Sequence, residues 1–383
     1  MVRDLHKMLK VGVAGLGRMG RHHAVNVLRL VPNATLICAC SPASADLEWA
    51  EKELFPYDVQ VVTSFEEMIE VPGLEAVIIA STTYLHAEQS KTALKRGLHV
   101  LCEKPVSKSI AEVSRTDGSR IDVSMELTTS WQMEEVLALA EAQPKAKLMV
   151  AFVRRFDHNY RGARLKIDHQ DIGRPLVIRS QGCEKLDTSE SYKQYLADSG
   201  GIFVDTIIHD IDLALFLFGE ESRPKSVSAF GTAACHAELA EAGDADNAVG
   251  VCEFYDGKIA YFYNSRTSNH GYDNATEIFG TSGKISINLH PRPNALEFTD
   301  ENGFVKMPAH RGWYERYAPA FVNEAQAWVD AVLAGGEMPV PLKSSLAGLK
   351  IAVALQESLR SGERIYFGKG GERIEGHWRK SNL

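Results

Sequence analysis

Short apolar runs separated by helical stretches fill the first part of the chain. The runs read KVGVAG, TLICAC, VQVVTS, AVIIAS and HVLCEK. Between them, residues 19–30 and 87–96 carry apolar positions at helical spacing. Strands that alternate with helices in this way form parallel sheets covered by helices on both faces. The pattern therefore predicts a doubly wound α/β domain over residues 1–147.

A different pattern begins at residue 148. LMVAFVRRF predicts a further strand, a helix follows to residue 166, and PLVIRS predicts another strand. The later apolar runs are longer: AVGVCEFYDG, KIAYFYNSRTS, ATEIFGTSGKISIN and ALEFTDENGFVKM. Asp256-Gly257 and Asn302-Gly303 favour hairpin turns. Residues 148–340 are therefore predicted to form an α+β domain with an open, mostly antiparallel sheet. A helix over 344–361 and a polar tail form a last segment, 341–383, expected to pack back toward the first domain.

Composition and charge exclude several kinds of partner. The 383 residues carry a formal charge of −8, whereas nucleic-acid-binding proteins present a basic face. No apolar run approaches the roughly 18 residues that span a bilayer. None of the six cysteines forms a C-x-x-C pair, so we interpret them as buried free thiols and expect no metal. We expect a cytoplasmic protein, with a surface insertion around residues 114–132.

The segment VGVAGLGRMG carries glycines in the spacing G-x-G-x-x-G. Gly15, Gly17 and Gly20 follow a predicted strand and open a predicted helix, which is the context that gives this pattern meaning. The first two glycines allow a tight turn and a close approach to a pyrophosphate, and the third lets helix and strand pack closely. The phosphates would then meet the positive end of the helix dipole. The sequence predicts a dinucleotide site here.

The end of the second predicted strand bears on the choice between NAD and NADP. An acidic residue there binds the ribose 2′-hydroxyl, and an arginine nearby accepts a 2′-phosphate. Ser41 occupies this place and is followed by Pro42, with neither an acid nor an arginine directly after it. The preference between the two cofactors stays open at this point.

Ionisable residues interrupt an otherwise apolar helical segment, SGGIFVDTIIHDIDLALFLFG, at residues 199–219. With about 3.6 residues per turn, Asp205, His209 and Asp212 share one helical face, and Asp210 points away from it. The apolar residues follow a different stripe. We therefore expect a buried helix that presents one polar stripe to a pocket.

Three motifs, taken in order along the chain, carry a family resemblance. With GLGRMG, EKPVS and GGIFVDTIIHDID in place, the chain resembles the Gfo/Idh/MocA oxidoreductases, and among them the inositol 2-dehydrogenases. The resemblance implies a Rossmann domain that holds a nicotinamide cofactor and a sheet domain that shapes the substrate pocket. It also implies hydride transfer to or from a secondary alcohol of a polyol or sugar, and a homodimer or homotetramer formed through the open sheet.

The resemblance places the catalytic residues of the family on Lys104, Asp205 and His209. Their chemistry suits alcohol oxidation, which requires a base for the proton, and histidine titrates near neutral pH. Asp205 could accept a hydrogen bond from the imidazole or from a substrate hydroxyl. Lys104 ends the fifth predicted strand and could donate to the reacting oxygen. Pro105 favours an extended conformation at Lys104.

Further residues are assigned to the two ligands by the same resemblance. Those assigned to the cofactor are Gly15, Gly17, Arg18, Met19, Gly20, Ser41, Ser81, Thr82, His86, Glu103 and Lys104. Those assigned to the substrate are Arg154, Asp212, Tyr272 and Trp313. Four of these residues could instead have a purely structural role. That role would be an ion pair for Arg154, sheet packing for Tyr272, core packing for Trp313 and helix capping for His86.

Two features leave the substrate open. Phe321 stands where relatives carry a tyrosine, and the loop GCEKLDTSESYKQYLADSGG differs from the basic, proline-containing loops of inositol dehydrogenases. Another cyclic polyol or a sugar is therefore an alternative to inositol. An NAD-dependent glycosidase with no net redox change and a cofactor-binding regulator without turnover are alternative functions. A metal held by Asp205, His209 and Asp212 is geometrically conceivable, but the family carries hydride without one.

Overall fold

The structure, a computed structural model, describes residues 7–107, 125–290, 298–301, 303–305 and 310–374. The chain divides into two compact units: the first comprises residues 1–156 and 319–346, and the second comprises 157–318 and 347–383. Most of the proposed insertion, residues 114–124, lies outside the described residues. In the part of the chain that is described, no helix is both long and apolar enough to cross a bilayer.

The first unit contains a six-stranded parallel sheet. Its strands are β1 (Leu9–Ala14), β2 (Ala34–Cys40), β3 (Gln60–Val62), β4 (Ala76–Ile79), β5 (His99–Glu103) and β6 (Leu148–Ala151). They lie in the order β3-β2-β1-β4-β5-β6, which is the order of a Rossmann sheet. Its helices are α1 (Arg18–Leu30), α2 (Ser44–Glu53), α3 (Phe65–Met68), α4 (His86–Lys95) and α5 (Met125–Ala142). The predicted doubly wound fold is confirmed.

The second unit contains an eight-stranded mixed sheet. Its strands are β7 (Pro175–Lys185), β8 (Pro224–Thr232), β9 (Asn247–Phe254), β10 (Ile259–Ser268), β11 (Asp273–Gly280), β12 (Lys284–Ile287), β15 (Ile365–Phe367) and β16 (Arg373–Ile374). Strands β13 (Phe298–Asp300) and β14 (Gly303–Val305) form a separate hairpin. The order is β12-β11-β7-β10-β9-β8-β15-β16, and only the β7–β10 pair of this sheet is parallel. The predicted mostly antiparallel sheet is confirmed, and the turn at Asp256-Gly257 joins β9 to β10.

Helices cover one face of this mixed sheet. The helices that follow β6 in the chain are α6 (His158–Asp168), α7 (Glu190–Asp198), α8 (Ile208–Phe218), α9 (Glu238–Glu241), α10 (Trp313–Ala334) and α11 (Leu342–Ser361). Gly250 of β9 marks the packing, since a Cβ there would meet Phe203 at 2.7 Å and Leu355 at 3.1 Å. Along β9 every second residue is buried and the intervening residues are half-exposed. The sheet thus has one covered face and one open face.

Candidate active site

The three glycines of the first turn have different structural roles. Gly15 has φ +87°, and a Cβ there would lie 2.7 Å from the carbonyl oxygen of Ala80. A Cβ on Gly20 would overlap the carbonyl of Gly15, so this glycine lets α1 pack on the turn. A Cβ on Gly17 would meet nothing within 4 Å. Gly17 therefore leaves the space beside the turn that a bound pyrophosphate needs.

The N-terminus of α1 is suited to an anion. Among the described residues, no side chain caps it and no acidic residue lies in its first turn. Arg18 and Met19 open the helix, and Arg18 is exposed. Amide groups at a helix start, together with the helix dipole, attract phosphate. The turn and the helix start fit a dinucleotide on their own geometry.

Two segments that follow neighbouring strands are joined by His86. This residue begins α4 and is 2% exposed. Its Nδ1 lies 2.9 Å from the carbonyl oxygen of Pro105, and its Nε2 lies 3.0 Å from that of Ser81. Burial lowers the pKa of His86 although both carbonyl contacts oppose the shift. A neutral imidazole donates only one proton, so one of these contacts lacks a donated proton in that state. His86 holds the segment after β4 against the segment after β5.

The end of β5 carries the residues of the EKP motif. Glu103 is buried and accepts a hydrogen bond from Nε2 of His23, in α1, at 2.7 Å. Burial alone would raise the pKa of Glu103, but His23 and the nearby Lys104 bring the pKa below its ordinary value. Lys104 itself is half-buried, and its peptide bond to Pro105 is cis. Ser81 donates to Gln89 at 2.7 Å, and Thr82 is exposed just before a 3₁₀ turn at Thr83–Leu85.

Ser41 follows β2 directly, as the sequence predicted, and it belongs to a hydrogen-bonded cluster with Asp46 and Arg21. Its hydroxyl lies 2.7 Å from Oδ2 of Asp46, in the first turn of α2. The other oxygen of Asp46 accepts from Arg21 at 2.8 Å. Both an acid and an arginine are therefore present at the end of β2. Sequence reasoning missed them because it searched only the residues directly after the strand, whereas Arg21 comes from α1.

The helix predicted around Asp205 is corrected by the structure. Residues Phe203–Ile207 form a π-helical turn, and the α-helix begins only at Ile208 and ends before Gly219. A π turn contains more residues than an α turn, so the regular spacing assumed between Asp205 and His209 does not hold. Such turns occur often at functional sites. Within α8, Asp210 accepts from Ser180 of β7 at 2.6 Å and therefore faces the sheet.

Asp205 belongs to a buried charge network that the sequence did not reveal. Its Oδ2 lies 3.3 Å from a guanidinium nitrogen of Arg266, which has no exposed side-chain surface. The other Nη atom of Arg266 lies 3.0 Å from Asp244. Oδ1 of Asp205 accepts from the hydroxyl of Tyr195, in α7, at 2.5 Å. Burial and the Asp205 charge raise the pKa of Tyr195 well above its usual value, which keeps the phenol protonated as a donor.

The same network fixes the start of the π turn. Asp244 accepts the amide of Ile202 at 2.9 Å, and Gln356 accepts the amide of Phe203 at 3.2 Å. Gln356 also donates to Asp244 at 3.2 Å. The backbone that leads into Asp205 is thus held by side chains from distant parts of the chain. Arg266 lies in β10, 61 residues from Asp205 in the chain, and no sequence motif assigned it a role.

The remaining candidates are placed as follows. Arg154 is buried in a 3₁₀ turn after β6, and Asp212 is buried in α8. Tyr272 is buried just before β11, and its amide contacts the carbonyl of His310 at 3.4 Å. Trp313 begins α10 and is half-buried. Phe321 is buried, and its ring meets the ring of His23 edge to face at 6.0 Å.

No three histidine, cysteine, aspartate or glutamate side chains of the described residues are grouped as a metal site requires. Lys104 lies in the first unit, and Asp205 and His209 lie in the second.

Two family models match the chain. Residues 9–117 match an oxidoreductase family with an NAD-binding Rossmann fold, and residues 160–286 match the GFO/IDH/MocA C-terminal domain. The matches fall on the two units that the structure separates.

Similar proteins include dehydrogenases of inositols. Myo-inositol 2-dehydrogenase of Thermotoga maritima is 31% identical over 353 residues, which are 92% of this chain and 96% of the relative. The scyllo-inositol 2-dehydrogenase (NAD(+)) of Bacillus subtilis is 29% identical over 366 residues, 94% of this chain and 96% of the relative. The crystal structure of scyllo-inositol dehydrogenase from Lactobacillus casei with NAD(H) and scyllo-inositol matches with a TM-score of 0.83 and 30% identity. That match covers 94% of this chain and 99% of the other.

Proposed function

The chain belongs to the Gfo/Idh/MocA oxidoreductase family, and on that premise we propose that it is a nicotinamide-dependent dehydrogenase of an inositol-like cyclic polyol. The observation that carries the proposal is the similarity to inositol dehydrogenases over nearly the whole chain, including both units. The open space beside Gly17 and the uncapped start of α1 support a bound dinucleotide.

We assign each catalytic candidate one role in the proposed reaction. The bound nicotinamide supplies the acceptor or donor of a hydride. His209 takes the proton of the substrate hydroxyl, since an imidazole titrates near neutral pH. Lys104, half-buried after β5, donates to the reacting oxygen as negative charge develops on it. Asp205 is a positioning residue that Arg266 and Tyr195 hold in place.

The substrate assignments remain part of the proposal. Arg154, Asp212 and Tyr272 are buried polar side chains, and Trp313 is half-buried at the start of a helix. A polyol presents several hydroxyls, and buried donors and acceptors discriminate their pattern more strongly than apolar contacts do. We assign these four residues to the polyol rather than to the dinucleotide.

The test is a spectrophotometric screen of inositols, aldoses and sugar acids with NAD and NADP. We expect steady NADH or NADPH formation with at least one inositol and weaker rates with aldoses. Cleavage of an aryl glycoside with no net NADH would instead support a glycosidase of the same fold. The inositol relatives do not favour that alternative. Tight dinucleotide binding without turnover of any polyol or sugar would contradict the proposal.

We further propose that a second copy of the chain covers the open sheet face. Alternate residues on β8, β9 and β10 place apolar side chains on this face, beside the polar Ser228 and Glu253. These apolar side chains, each half-exposed or exposed, are Phe230, Val249, Val251, Ile259, Tyr261 and Tyr263. Phe230 is 69% exposed. A contiguous apolar patch of this kind is typical of an interface.

Light scattering after gel filtration tests this assembly. Tyr261→Glu places a charge in the centre of the face and is expected to yield monomers. Leu165→Glu introduces the same charge at an exposed leucine on α6 and should leave the assembly unchanged. A dimer or tetramer that survives Tyr261→Glu would place the interface elsewhere.

A further inference from the structure

The clearest unassigned feature is a cluster at the end of β2, formed by Ser41, Asp46 and Arg21. Gly15 donates its amide to the carbonyl of Cys40 at 2.9 Å, so this strand end lies directly beside the glycine turn. Nε of Arg21 donates to the carbonyl of Leu16 at 2.8 Å, which places the cluster against the same turn. In this fold the adenosine ribose of a dinucleotide is bound at this strand end.

We propose that Asp46 makes the ribose subsite selective for NAD over NADP, in place of the carboxylate that the strand end itself lacks. The inference rests on the proposed function only in taking the ligand to be a nicotinamide dinucleotide. It concerns a residue that the sequence did not single out.

The hydrogen bonds of Ser41 support this assignment. The hydroxyl carries one proton, and that proton is directed to Oδ2 of Asp46 at 2.7 Å. The hydroxyl oxygen accepts the amide of Ala43 at 3.3 Å. A phosphate needs donors, whereas a ribose hydroxyl can donate to an acceptor. With its proton committed to Asp46, Ser41 is not arranged as a phosphate donor.

The charge of the cluster also supports selectivity for NAD over NADP. A 2′-phosphate brings a charge of about −1.5 to −2 and is bound by uncompensated arginine or lysine. The only arginine in the cluster lies 2.8 Å from the carboxylate of Asp46, which neutralises it. Arg21 is also held by Leu16 and by the ring of Trp49, 5.1 Å from its guanidinium carbon. A phosphate at this point would meet a carboxylate that repels it.

The side chain of Asp46 is accessible to a ligand, in contrast to the buried Ser41. It retains 17% of its side-chain surface, and Ser41 retains 3% of its residue surface. A carboxylate has about four acceptor sites, and Ser41 and Arg21 occupy one on each oxygen. Asp46 therefore has the capacity to accept a further ribose hydroxyl.

Calorimetric titration of the purified chain with NAD and with NADP tests the inference without requiring turnover. We expect the unchanged protein to bind NAD about tenfold more tightly or better, because a like charge beside a phosphate costs more than the 1.4 kcal/mol that corresponds to tenfold. Asp46→Asn keeps the shape and removes the charge. It should tighten NADP binding about tenfold and change NAD binding much less.

The matched control is Glu48→Gln. It removes the same charge from the exposed side of α2, and the NAD-to-NADP ratio should stay as in the unchanged protein. Equal or tighter binding of NADP by the unchanged protein would overturn the inference, and this outcome needs no variant to fold. An unaltered ratio in Asp46→Asn, or an equal shift in Glu48→Gln, would overturn it too.

The two proposals can fail separately. NAD-selective binding without oxidation of any polyol would contradict the proposed function and support the role of Asp46. Polyol oxidation with equal use of both cofactors, together with equal binding, would support the function and overturn the role of Asp46.

Discussion

A guanidinium nitrogen of Arg266 lies 3.3 Å from Oδ2 of Asp205, and no surface of the arginine side chain is exposed. The pair lies in the second unit, where Arg266 also reaches Asp244. A buried ion pair contributes modestly as a whole, but removal of one partner leaves an uncompensated charge. The position of Asp205 therefore depends on an arginine 61 residues away in the chain.

Replacement of Arg266 by methionine should reveal this dependence. Arg266→Met removes the buried guanidinium that contacts both Asp205 and Asp244, and we expect the free energy of unfolding to fall by about 3–5 kcal/mol. Arg266→Lys keeps the charge but loses the planar guanidinium with its several N–H donors, so the free energy of unfolding should fall by less than in Arg266→Met. Urea unfolding measures both. Arg96→Met, at an exposed ion pair with Glu70, is the control and should change little. Equal stability of Arg266→Met and the unchanged protein would contradict the role of the network.

The proposed base can be tested by turnover and binding together. His209→Ala should lower kcat by roughly 10²–10⁴ because proton transfer loses its acceptor. The dissociation constant of the dinucleotide should change little, since the glycine turn is intact. Steady-state rates with the best polyol from the screen, and calorimetry with NAD, give the two quantities. Near-unchanged turnover would reject His209 as the base.

The glycines of the turn should respond differently to the same substitution. Gly17→Ala adds a Cβ into open space, so the thermal midpoint of the unliganded protein should stay unchanged while dinucleotide binding weakens. Gly20→Ala forces the Cβ against the carbonyl of Gly15, so the midpoint should fall even without ligand. Thermal unfolding with and without NAD separates the two effects. If Gly17→Ala bound NAD as tightly as the unchanged protein, the pyrophosphate would not lie over this glycine.

Burial of His86 should make the protein less stable in acid. The folded pKa lies below the ordinary value of 6.5, so the unfolded chain binds the proton first as the pH falls. The contribution of the neutral His86 to the free energy of unfolding is therefore fully present above about pH 6.5. It is lost as the pH decreases toward the pKa of His86 in the folded protein. His86→Asn removes this titration and should flatten the dependence of unfolding free energy on pH. Urea unfolding at a series of pH values, with His169→Asn at an exposed position as control, measures it. Parallel curves for His86→Asn and the unchanged protein would exclude this contribution.

Local hydrophobic patterns predicted the first sheet well. All six strands fall on apolar runs, because strands buried on both faces must be apolar over their whole length. In the second unit the hydrophobic pattern predicted the strands less completely. Strand β8 was missed because its buried residues include the small Ser226 and Ala229, while its one aromatic residue, Phe230, is exposed.

The candidate site was predictable only where a motif is local. The glycine turn and the EKP segment were found because their residues are adjacent in sequence. Arg266 and Asp244 were not found, since their link to Asp205 exists only after the sheet has formed. The π turn was missed because helical spacing was taken as uniform across Asp205. Asp46 was missed because it folds back on Ser41 from the next helix.

The bond between His23 and Glu103 has a consequence for protein engineering. It couples the helix that opens at the glycine turn to the residue immediately before Lys104. A redesign that moves α1 to accommodate another dinucleotide would also displace Glu103, and with it the adjoining Lys104. A variant is therefore best able to change its cofactor preference and keep its reaction rate when the substitutions are confined to α2 and His23 is left unchanged.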